Sequence, residues 1–364
     1  MKIKLTYMLK KYLALYFFST IPLAMFLFGC THSPTGLENY KDPSKYTWTV
    51  DTLAGTFQTA MRSIWGSSPT NIYIVGHNDQ PGPGTMFRFN GKTWNTTGFH
   101  VVEGGPVRGP VSLSCVYGFA SNDVWSVGER IYDNRPGVPS FLDSSLIIHW
   151  NGMQWKEYKV SGRYLIAVGG SAPNDVWAVG VNTVFHFDGV SWQKMQVPIP
   201  PQGIQFHSVI GINQNDAYMI GYRNDVVQPA DTNAYFLYHF DGTAWSVFDS
   251  VIQTPYSPIG KFGQELFSIK GILYSSFNGV YREENGVWVN VLDDGWAWFL
   301  GGNDINNIFA VGGLGTIYWY NGSTWKRISV PAIGDTPLYG VWTDGTEVFI
   351  VGNDGLKTYI LHGK

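Results

Sequence analysis

Along this chain, short apolar runs of four or five residues alternate with clusters of Asn, Asp and Gly, and the alternation recurs. The segment Asn174-Asp175-Val176-Trp177-Ala178-Val179-Gly180 has near relatives at 70–76, 122–128, 215–221, 306–312 and 346–352. A second phrase trails it. Asn90-Gly91-Lys92-Thr93-Trp94 has counterparts ending in Trp155, Trp192, Trp245, Trp288 and Trp325. Apolar runs of this length, bounded by turn formers, are strands covered on both faces. Asn/Asp-Gly pairs join neighbouring antiparallel strands, because these residues accept the left-handed backbone of a tight turn.

The unit therefore reads strand, turn, strand, variable loop, strand, turn, strand. Four such strands cannot bury both faces of their sheet alone, and stacking copies around an axis solves that problem. Six complete phrases and a seventh lacking its last strand predict an all-β, seven-bladed β-propeller. Trp94, Trp155, Trp192, Trp245, Trp288 and Trp325 are predicted to pack between blades. The fifth blade is degenerate, with Ser276 read in place of the recurrent glycine. The chain stops at His362-Gly363-Lys364, midway through the second phrase, and the missing Thr-Trp stands at Thr47-Trp48. Residues 46–52 are thus predicted to form the outer strand of the last blade, beside 359–362.

The pattern resembles the NDVWAVG-type propeller repeats of exported bacterial proteins, within the superfold that also holds kelch and sialidase propellers. The resemblance covers nearly everything after residue 45. It implies the fold and leaves the function open, since propellers host binders, scaffolds, hydrolases and lyases. The Gly-x-Thr-Trp phrase also resembles the tail of the sialidase Asp-box. Phe89 and Tyr320 stand where that box needs aspartate, which argues against sialidase activity.

The first thirty residues follow a different rule. Lys2, Lys4, Lys10 and Lys11 precede an apolar run from Tyr12 to Phe28, which ends in Leu27-Phe28-Gly29-Cys30. This resembles a bacterial lipoprotein signal and implies cleavage before Cys30 and a diacylglycerol thioether on its sulfur. The expected division is a signal over 1–29, a lipidated cysteine and tether over 30–45, and the propeller over 46–364. The alternative is an uncleaved anchor, as the run approaches the length of a membrane span. Cys115 is the second and last cysteine; it lies in an apolar strand and is expected to fill space.

Processing would remove four lysines and no acid, taking the formal charge from −3 to −7. A mildly acidic chain has no electrostatic footprint for nucleic acid. Aromatic residues at 16% and 43 glycines suit many short strands and tight turns. No H-E-x-x-H, G-x-S-x-G or C-x-x-C motif occurs, and neither a metal nor a cofactor is expected. His149, His186 and His239 recur at one repeat place, as packing residues do.

What varies between repeats is more informative. Insertions around 77–85, 129–144 and 222–233 fall between second and third strands, on the face shared with the blade connections. Long loops gathered on one face of a rigid scaffold commonly carry function. Candidate contacts there are His77, Asp79, Glu129, Arg130, Tyr132, Arg135, Arg223 and Asp225. Arg62, His207 and Trp298 share one place near the start of the innermost strand and are candidates to converge at the channel mouth. The expected role is binding of a protein or glycan by a lipid-anchored envelope or cell-surface protein, with membrane contact through the anchor. The alternatives are a carbohydrate-active hydrolase or lyase, and an assembly or scaffold factor of the outer membrane.

Overall fold

A computed structural model of the chain describes residues 40–53, 58–78, 84–96, 107, 111–130, 144–201, 203–225, 232–253 and 260–364. Residues 40–364 form one compact unit of seven four-stranded antiparallel sheets. The inner strands are Thr59–Ser68, Val111–Ala120, Leu165–Ala172, Gln205–Asn213, Glu265–Ile269, Ala297–Asp304 and Leu338–Thr343. Each contacts its two neighbours, and the last contacts the first, so the ring is closed. The outer strands are Trp94–Thr96, Trp155–Tyr158, Trp192–Lys194, Trp245–Gln253, Val287–Leu292, Trp325–Arg327 and, for the last blade, Trp48–Leu53.

The closing strand is the one expected. Trp48–Leu53 pairs antiparallel with Thr358–Gly363, from Trp48 opposite Gly363 to Leu53 opposite Thr358. Thr47 and Lys364 exchange two backbone hydrogen bonds, of 2.9 and 3.3 Å. The segment 40–45, expected in the tether, is instead held against the propeller. Pro43–Lys45 is a short 3-10 helix, Asp42 pairs with Lys326 at 2.8 Å, and Tyr40 packs with Trp48 against the core between blades six and seven.

Seven apolar clusters fill the seven blade interfaces. Each contains the outer-strand tryptophan of the later blade against the second-strand apolar residues of the earlier one. Trp192 meets Trp125 edge-on with ring centroids 5.4 Å apart, and Trp245 meets Trp177 at 5.0 Å. The recurrent histidines serve the same packing. His149 stacks on Trp125 at 3.9 Å and shares a 2.6 Å hydrogen bond with Asp123. His186 does so with Trp177 and Asp175, His239 with Tyr218 and Asp216, and His362 with Phe349 and Glu347. The acid that opens the second strand is thereby tied to the end of the third.

The turns explain the second phrase. The Asn90 side chain accepts the N–H groups of Lys92 and Thr93, each at 3.0 Å, while Gly91 takes φ +89°, where a Cβ would be strained. The recurrent glycine of the first phrase has another cause. At Gly128 a Cβ would sit 2.0 Å from the Ser112 carbonyl oxygen, because the inner strand bulges there and pushes its backbone across.

Blade five departs from the sequence reading at this place. Ser276 pairs with Glu265 as Val75 pairs with Ser63, so the glycine position belongs to Phe277. The partner strand compensates. A Cβ on Gly263 would lie 2.7 Å from the Phe277 ring, so the glycine has changed strands and the large residue has taken its place.

Candidate functional site: the central channel

The inner strands enclose a channel of about 950 Å³, lined by residues from all seven blades. Six of the seven inner strands carry a bulge in this region. At the bulge of blade one the side chain is Arg62, which is exposed and lies over the Tyr339 ring of blade seven, 5.6 Å from its centroid. At the bulge of blade four it is His207. Its Nε2 lies 2.6 Å from the Gly263 carbonyl oxygen, and burial holds its pKa down at about 4. Near neutral pH the ring is therefore uncharged and donates from Nε2. Both residues line the channel. Trp298 does not; its indole donates to the Gly295 carbonyl at 3.0 Å and packs beside Trp296 on the blade connection.

The remaining candidates divide. His77 is the next-to-last residue of the second strand of blade one and lines the channel, exposed. Glu129 and Arg130 are strand residues, paired in register with Ser145 and Ser144, and Arg130 bridges to Glu157 at 2.6 Å. Arg223 and Asp225 lie within the strand Asp216–Asp225, with Arg223 over the Phe236 ring at 5.5 Å. Both ends of the expected insertion over 222–233 are thus strand, residues 222–225 pairing with 232–235, and the Tyr222 and Tyr235 rings lie 5.1 Å apart. Cys30, Asp79, Tyr132 and Arg135 lie outside the described residues.

Sequence reasoning missed Glu265. It lines the channel, its Oε2 accepts the Leu300 N–H at 2.5 Å, and burial raises its pKa to about 8. Cys115 is also in the wall, its thiol raised mainly by burial, with a smaller contribution from Glu265. Among the described residues no group of three or more His, Cys, Asp or Glu side chains is placed to hold a metal ion.

A ring of seven sheets with this closure can be set beside known folds. Two solved structures of YCF48 are among those that superpose on it. YCF48 bound to D1 peptide superposes with a TM-score of 0.52 at 14% identity, covering 88% of this chain and 97% of that one. YCF48 from Cyanidioschyzon merolae gives 0.51 at 14%, covering 86% and 98%. At such identity the likeness establishes the fold. No family model and no curated protein matches the chain.

Proposed function

We propose that this chain is a lipid-anchored envelope propeller that holds an extended segment of a protein partner at the long-loop mouth of its channel, as an assembly or scaffold factor does. The observation that carries the reading is the convergence of Arg62 and His77, both exposed, on one mouth of a channel wide enough for side chains to enter. The YCF48 structure with a bound D1 peptide supports it, as a propeller of the same fold that takes a peptide. Hydrolysis of a glycoside by paired acids would need a second carboxylate beside Glu265, which is the one carboxylate among the described lining residues.

The test is comparative. Detergent-solubilised protein, an R62E/H77E double variant and a K92E variant on the opposite, tight-turn face are compared for the amount of partner that co-purifies. Loss with R62E/H77E alone supports the reading, and equal recovery from all three refutes it. The anchor is tested separately: palmitate labelling disappears in Cys30→Ala if that cysteine carries the lipid, and labelling that persists removes the anchor.

A further inference from the structure

At the place that follows the bulge in six blades, and at the matching place in blade five, the inner strands put one residue of each blade on the channel wall. Small residues hold that place in most blades: Ser63, Cys115, Ala167, Ser208 and Gly340. Their structural task is to meet the next blade. Ser63 Oγ accepts the Val116 N–H at 3.1 Å, and Ser208 Oγ accepts the Leu266 N–H at 2.9 Å. Glu265 does the same for Leu300 with Oε2. A hydroxyl suffices for that bond in blades one and four, so the carboxyl brings a second oxygen the fold does not require. That oxygen has no hydrogen-bond partner among the described residues.

The surroundings favour one kind of guest. His207, from the preceding blade, also lines the channel and donates Nε2–H to Gly263, two residues before Glu265, which leaves Nδ1 as the ring's acceptor. Gln264 and Ser268 line the channel beside Glu265, and the nearby titratable groups are engaged elsewhere. Cys115 faces the channel as a half-buried thiol whose Sγ lies 3.8 Å from the Val168 carbonyl oxygen, Tyr274 is buried in the next blade interface, and Asp304, far along the next inner strand, is paired with Lys270. Arg62 is drawn toward the mouth over Tyr339. Tyr164, Ile166, Phe299 and Tyr339 add apolar and aromatic wall. A carboxyl and an imidazole lone pair on the wall, with aromatic rings among the lining, give the channel two acceptors for a cation, once the carboxyl is ionised, within a cavity of ligand size.

We infer that the channel binds an organic cation, a guanidinium or alkylammonium group, which pairs with Glu265 and is oriented by His207. The cation is either a free small molecule or a basic side chain reaching in from a partner, and the site stands whether or not a protein docks at the mouth. Pairing requires the ionised carboxylate, so binding releases a proton below the carboxyl's free pKa of about 8. Affinity then rises about tenfold per pH unit up to that value and levels off above it.

The probe is n-butylguanidinium, titrated calorimetrically into the full-length protein in detergent at intervals from about pH 6 to about pH 9. Glu265→Ser is the informative variant, since blades one and four show that serine keeps the inter-blade bond; Glu265→Gln is the second. The inference expects saturable binding that strengthens with pH, releases protons, and is lost in both variants while their melting transitions persist. An Ala-Ala-Arg-Ala-Ala peptide that binds more tightly than the probe, and also fails with Glu265→Ser, identifies a partner's side chain as the source; parity identifies a free cation. Absence of binding to the wild type across the range, or equal binding by Glu265→Ser, overturns it.

Discussion

Replacing Trp48 by alanine probes how the ring is closed. The indole packs in the core between blades six and seven, its centroid is 6.1 Å from that of Tyr46, and its Nε1 donates to the Pro43 carbonyl at 3.2 Å. An aromatic of this size covers up to about 200 Å² when fully buried, which corresponds to about 5 kcal/mol at about 25 cal/mol per Å². Trp48 is half-buried, as are its counterparts Trp192 and Trp325. Allowing for that exposure, Trp48→Ala should destabilise the protein by about 3 kcal/mol. Because the outer strand is also the clasp, loss of the indole loosens the six-residue pairing with Thr358–Gly363 and frees an edge for association. Equilibrium denaturation in guanidinium chloride measures the change, with Trp325→Ala as the matched interior comparison. If Trp48→Ala unfolds at the wild-type midpoint while Trp325→Ala does not, the N-terminal strand is not a structural part of the last blade.

Other outcomes follow from the same contacts. Gly128→Ala places a Cβ against the Ser112 carbonyl and should cost at least about 3 kcal/mol in denaturant titrations. His186→Phe keeps the ring over Trp177 but strips the fully buried Asp175 of a partner, an effect of about 2–3 kcal/mol; His239→Phe, beside the more exposed Asp216, should cost less. Glu265 binds its proton more tightly folded than unfolded, so its contribution to stability falls as pH rises from about 4.5 to about 8 and is constant above. The melting-temperature gap between Glu265→Ser and wild type should widen in the serine variant's favour over that interval; a gap independent of pH refutes the assignment. Replacing 131–143 by a two-residue turn between Arg130 and Ser144 should leave the melting temperature nearly unchanged, since loop closure depends weakly on length.

The sequence shows the blades well because each repeat has to solve the same packing problem with nearby residues. Asn90 and Gly91 are adjacent, and so are the apolar residues of each second strand. The closing strand was legible too, as Gly363-Lys364 and Thr47-Trp48 join into the phrase that blade one writes unbroken. The histidines were readable as a register, but their acids were not. Asp123, Asp175 and Asp216 stand 26, 11 and 23 residues away from them, across loops of unequal length. Glu265 was invisible for a related reason. Its blade exchanges the glycine between strands, Phe277 for Gly263, so the repeat pattern no longer marks which residues of the inner strand face the channel. Arg62, His207 and Trp298 all stand at the regular bulge of their blades, and the first two line the channel.

Position-resolved photo-crosslinking in cells tests the central claim, that a protein partner sits at the long-loop mouth of the channel. A photoreactive residue is placed singly at 62, 77 and 339 at the mouth, and at 92, 153 and 190 on the tight-turn face. The account expects a discrete crosslinked partner from the first group and none from the second. Crosslinks confined to the second group, or none from either, would contradict it.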